Sequence, residues 1–410
     1  MKKLTIIIFL IPMFQLFGQK DTTREYTDYS FILQDSPSQL FTMRQVNQSY
    51  LSAYRLFAKG LYSASKNVFM AEILQMGLQT MFFMPLTHEE GHRSILTANN
   101  IGSVSQPYFN KYGAAYVKGV TDQTLQNLRD NDLPTYIRLH SGGLESDYML
   151  TKRMETIGSF EKDNINYYKW EYWIRKVGIL QYYVTGLIGF EAGLEEEDDE
   201  LERDIVGYDT YGAARHLFRP EMEFYRYTDY DDLTREEQKY VNRMGFRSLL
   251  NLLNPLMIGI ENFKVGENLS LNAGMGYTMA PFGDFIDENI WVKYKNYNIQ
   301  GYARQFQNRD NWFQGFGLGV MDLQVNDRFY TNITGHFWNQ PKDYDFNTSE
   351  SFAGGAIDVD LRYFFFNDRD ISLKGFSVDL GIIYKTEGFL PEELYLEERF
   401  GVRIGTTIRL

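Results

Sequence analysis

Residues 81–100 read MFFMPLTHEEGHRSILTANN, and within them His88 and His92 stand four apart with Glu89 directly after the first. On a helix, positions i and i+4 share a face, so the two imidazoles can close on a single divalent ion. Glu89 then lies beside the ion, close enough to reach a water held there but not to bind the ion itself. With only five His in 410 residues, coincidence is a poor explanation for this spacing. The chain has no cysteine, so any metal must be held by His and carboxylates, and disulfides and thiolate chemistry are excluded.

The flanks suit a helix. Pro85 fits a first turn, LTHEEGHRSILTA continues it and NNIG ends it. Gly91 costs such a helix about 1 kcal/mol, which points to a second segment packed close against it. A catalytic zinc needs a third protein ligand and an open fourth position. Candidates lie in RLHSGGLESDYMLTKRMETIG, residues 138–158, where SGG reads as a loop and Leu144 onward as a helix. Glu145 ranks first as ligand, then His140, then Asp147. Tyr148 and His140 are the nearby candidates for a donor to a developing oxyanion. His216 and His336 lack metal-ligand spacing and suit core or interface roles.

The 88–92 motif resembles the HExxH signature of zinc metalloproteases. Glu145, about fifty residues after His92, resembles the helix-borne ligand of the gluzincin type. The usual Glu-x-x-x-Asp continuation is missing, since Met149 stands four residues after Glu145. The resemblance implies peptide-bond hydrolysis with Zn2+ on His88, His92 and Glu145, and with Glu89 as the base. HEEGH also matches the spelling of site-2-type intramembrane proteases. That family's Leu-Asp-Gly ligand has no counterpart here, and the apolar segments 68–86, 177–190 and 248–260 are not clean twenty-residue spans.

The elements that must position these residues divide near residue 255. Before it, segments 50–83 and 167–193 carry apolar residues at helical spacing. The acidic run 193–204 reads as a solvated face. After it the period becomes two, as in AIDVDLRYFFF (356–366), GFSVDLGIIYK (375–385) and the final RFGVRIGTTIRL. Charges and glycine occupy the opposite faces, and aromatics lie near strand ends, as an outward-facing lipid surface requires. Residues 1–18 have the layout of a cleaved secretory signal. Removing them takes away Lys2 and Lys3, leaving 39 basic against 54 acidic side chains, a net charge of -15 that argues against nucleic acid.

The expected fold is therefore α+β: a mostly helical, metalloprotease-like domain over 19–250, then a small antiparallel outer-membrane β-barrel of about eight strands over 256–410. The expected setting is the outer membrane of a Gram-negative cell, with membrane lipid and a polypeptide substrate as partners and the helical domain on the periplasmic side. The alternative is a non-catalytic subunit of an outer-membrane transport or barrel-assembly complex.

Overall fold

The computed structural model describes residues 26–36, 41–65, 67–109, 115–191, 193, 196–367 and 372–410. Segment 1–18, expected from its sequence to be a secretory signal, lies outside the described residues. The chain opens with β1 (Asp28–Asp35) and then the helices α1 (Met43–Ala64), α2 (Val68–Leu78) and α3 (Met84–Ala98). A small ribbon of β2 (Val104–Gln106) and β3 (Tyr116–Lys118) precedes α4 (Asp122–Asn131), α5 (Leu133–Ser159), α6 (Lys169–Val184), α7 (Asp209–Phe218) and α8 (Arg235–Ser248). Helix starts follow local chemistry. Thr42 accepts from Gln45 N at the head of α1, and Asp132 accepts from Thr135 N at the head of α5. At α8, Thr234 and Glu237 form a reciprocal capping box.

From residue 263 the chain runs as successive antiparallel hairpins. These are β4 (Phe263–Gly266), β5 (Leu269–Ala280), β6 (Gly283–Tyr294), β7 (Tyr297–Gln307), β8 (Trp312–Gln324), β9 (Phe329–Pro341), β10 (Ser351–Asn367), β11 (Gly375–Lys385) and β12 (Arg399–Arg409). The expected closed barrel of about eight strands does not form. The sheet has ten strands in the order β1-β12-β11-β10-β9-β8-β7-β6-β5-β4, and its two edges, β1 and β4, do not pair. β4 is only four residues long, too short to carry a closing ladder. Along β1, α1 has taken carbonyls that a further strand would need: Gln45 Nε2 donates to Leu33 O at 2.9 Å and Ser52 Oγ to Ser30 O at 2.6 Å. Helix side chains thus satisfy an edge that would otherwise recruit another strand. Among the described residues no helix is long and apolar enough to cross a membrane.

The helices pack on one face of this sheet. Tyr148 of α5 sits in a cluster with Phe285, Phe306, Trp338 and Phe389, between the helix and the inner faces of β6 to β11. A second cluster joins α3 and α5 through Ile95, Leu96, Tyr136 and Leu139. Here the reading of SGG as a loop fails, because Ser141, Gly142 and Gly143 lie inside α5. The cause is the crossing of α3 over α5. A Cβ on Gly91 would stand 2.4 Å from Gly142 O, and one on Gly143 would stand 2.4 Å from His88 Nε2. Gly91 and Gly142 let the two backbones meet, as Gly91 suggested, and Gly143 leaves room for the His88 ring.

Candidate metal centre

α3 carries His88, Glu89 and His92 on its buried face. It continues from α2 through a single π-helical turn, Gln79–Phe83, the kind of bulge often found beside functional residues. The rings of His88 and His92 lie 5.0 Å apart. Opposite them, Asp209 stands in the first turn of α7. Its Oδ2 is 3.2 Å from His88 Nε2 and 3.5 Å from His92 Nε2. One ligand atom from each of the three residues falls within 4.8 Å of the others, and all three side chains are buried.

The other nitrogen of each ring is already engaged. His92 Nδ1 lies 2.6 Å from Leu139 O, a carbonyl that can only accept, so Nδ1 carries the proton. His88 Nδ1 lies 2.8 Å from Asp147 Oδ2. Asp147 in turn accepts from Arg175 through Oδ1, and Arg175 donates to Glu171 at 2.7 Å. Glu171 also accepts from Tyr50 at 2.7 Å. This chain of buried partners sets the tautomer and orientation of His88 and leaves its Nε2 facing Asp209, the usual support of a metal-binding imidazole. Asp209 Oδ2 itself receives no well-formed hydrogen bond. Together with the two imidazoles it forms a group that could hold a metal ion.

The electrostatics agree. Burial opposes protonation of His88, but Asp147 and then Asp209 outweigh it and hold the imidazole well above its ordinary range. His92 is raised the same way, against burial, by Asp209. Burial also opposes ionisation of Asp209, yet His92 and His88 hold its carboxyl well below the ordinary carboxylate range. The site is thus a net attractor of positive charge. Burial pushes the Glu89 carboxyl up to about 7, against the pull of His88 and His92. Asp204 is raised well above its ordinary value by burial and then by Glu89, so a second carboxyl shares Glu89's surroundings. Tyr182 stacks on His88 with centroids 5.0 Å apart and planes 14° from parallel.

Two imidazoles and one carboxylate are the donor set of a catalytic zinc site with an open position. The residues present therefore fit such an ion. The structure brings together His88, Glu89 and His92 as the spacing implied, but the carboxylate facing them is Asp209 rather than Glu145. Glu145 is held by Arg138 at 2.6 and 2.9 Å and accepts from Glu392 N at 2.7 Å. Asp147 acts on the far side of His88, as its orienting partner. His140 is fully buried with neither ring nitrogen hydrogen-bonded, beside Tyr136 and His216, and burial pushes its imidazole down to about 3. Tyr148 points to the sheet instead and donates to Asp287 at 2.5 Å. His216 lies in the core against Tyr136, and His336 pairs with Tyr302 at 2.8 Å.

Asp209 escaped sequence reasoning because it sits on a separate helix, with no spacing relation to the motif. Its local signal, an acid opening the helix after Gly207 and Tyr208, marks a helix start and nothing more. Comparison with known proteins finds no matching family model, no matching curated protein and no matching solved structure.

Proposed function

We propose that this protein is a zinc-dependent hydrolase of peptide bonds, with the ion held by His88, His92 and Asp209. One observation carries the reading. Two buried imidazoles have their Nδ1 atoms committed to acceptors and their Nε2 atoms turned to one buried carboxylate. When bound, zinc supplies Lewis-acid polarisation of a carbonyl and makes water acidic near neutral pH. The chain's own residues do the rest. Glu89, beside the ligands, accepts a proton from the attacking water and returns it to the leaving amine. Asp147 and Leu139 O keep the imidazoles in place during that exchange. The choice of peptide as substrate rests on the resemblance of HEEGH to the metalloprotease signature.

A second reading, a metal that only holds together an accessory envelope subunit, is favoured by how closed the site is: Glu89 is 6% and Asp209 3% exposed. Metal analysis and cleavage of an unfolded protein such as casein separate the two. We expect one zinc per chain, and a Glu89→Gln variant that keeps the metal but loses cleavage by about a hundredfold or more. Failure to retain any divalent ion, or equal cleavage by the variant, overturns the hydrolase. Zinc retained without turnover, with loss of folding on chelation, supports the accessory subunit.

A further inference from the structure

The face of the sheet turned away from the helices has a polarity opposite to that of a soluble protein. Every strand from β5 to β12 contributes a Val, Ile or Leu to one line of directly paired positions, which runs from Leu271 through Ile333 to Val402. None of these side chains is buried. In the neighbouring line, Leu318 is 63% and Phe400 62% exposed. The inward positions of the same strands hold the charges. Arg403 meets Asp358 and Asp360, Arg304 is bidentate to Asp287, and Arg409 is bidentate to Asp28. A soluble sheet buries one apolar face and solvates the other; this one buries ion pairs beside the Phe285–Phe306–Trp338 cluster on its inner face and turns a second apolar face outward.

α2 repeats the inversion. Gln75 of α2 and Gln79 of the following π turn are fully buried, bonding Tyr54 and Tyr50, while Val68, Phe69, Met70, Ile73 and Leu74 face outward. α2 packs on α1 and α6, and α1 lies along the edge strand β1. Their backbone groups bond internally, which an exposed strand edge cannot do without water.

We infer that this apolar surface, sheet face and α2 together, is buried in the hydrocarbon of a lipid bilayer. Its height matches. The outward line of β11 is apolar from Phe376 to Tyr384 with an aromatic residue at each end, and those nine residues are about the 9–11 that a tilted membrane-spanning strand needs. Its extent also selects the occupant. A second copy of the chain would cover one side, but here outward apolar residues span eight successive strands, β5 to β12, and α2 carries a further set. A soluble monomer rarely exposes apolar patches beyond a few hundred Å². The inference is independent of the metal centre.

The absence of cysteine gives a clean test. Single variants Leu318→Cys, Ile357→Cys and Ile73→Cys, with Lys342→Cys as a solvent-facing control, are labelled with an environment-sensitive fluorophore. The full chain is then reconstituted into phosphatidylethanolamine–phosphatidylglycerol vesicles, with and without brominated acyl chains. Circular dichroism confirms the fold of each variant. We expect the first three probes to blue-shift and lose most of their emission to brominated lipid, and the Lys342→Cys probe to do neither. A detergent-free, monodisperse protein with water-exposed probes overturns the inference. So does a soluble dimer whose probes are shielded without quenching. Zinc content, read on the same samples, reports on the metal centre alone and leaves the membrane question to the probes.

Discussion

Asp147 divides its two oxygens between His88 Nδ1 and the guanidinium of Arg175. An Asn at that position keeps the shape but offers only one acceptor oxygen, and its amide nitrogen facing either partner replaces an attraction with a donor–donor clash. Partners of metal-binding imidazoles contribute about 10–100-fold to affinity. We therefore expect Asp147→Asn to weaken zinc binding by about that factor, measured by competition with a chromophoric chelator. An unchanged affinity would separate Asp147 from the metal centre. The same scale shows where sequence reasoning ends. His88, Glu89 and His92 were legible because one helix turn converts spacing into proximity. Asp209 was not, because only the packing of α7 against α3 brings it there. Glu145 looked right by distance along the chain, but Arg138, two turns earlier on the same face of the helix, claims its carboxylate.

At the scale of elements, the α3–α5 crossing is the joint that shapes the site. Gly143 faces His88 so closely that a methyl group would fall 2.4 Å from Nε2, the atom that must reach the ion. Gly91 faces the Gly142 carbonyl at the same separation, where only backbone could give way. We expect Gly143→Ala to abolish zinc binding while the chain still folds, and Gly91→Ala to lower stability by about 1–3 kcal/mol in urea unfolding. Gly60→Ala, on α1 with nothing within 4 Å of the added carbon, is the control and should stabilise by a few tenths to about 1 kcal/mol. Gly143→Ala with full zinc content would show that the ring has another place to go. Helices α1, α2, α3 and α6 and strands β10, β11 and β12 were legible from their periods. The Gly pair in 138–158 was misleading, since glycines that mark a loop and glycines that mark a close helix crossing look alike in one sequence.

At the scale of the whole molecule, alternation identified the strands but not their boundary conditions. Period two says that a strand has two faces; it says nothing about what meets the edges of the sheet. β1, a short run far from the other strands, joins β12, and α1 occupies its other side, so the sheet remains open. The join is held by Arg409, 1% exposed, with both oxygens of Asp28 at 2.7 and 2.9 Å. Removing the guanidinium leaves a partly buried carboxylate with only the longer contact to Arg362, at 3.4 Å. We expect Arg409→Met to cost about 1–3 kcal/mol, with faster hydrogen exchange confined first to the amides of β1 and β12. Exchange that rises evenly over all strands would show that the seam carries no special share.

That same join has a temporal side. Asp28 and Arg409 are 381 positions apart, and contacts of such separation pay a large loop-closure entropy before they return anything. During synthesis the first strand therefore emerges with no neighbour to ladder with and must wait, a bare ribbon, until the twelfth arrives. Whatever escorts the nascent chain has to shield that ribbon throughout, and the molecule becomes whole only when its two distant segments finally meet.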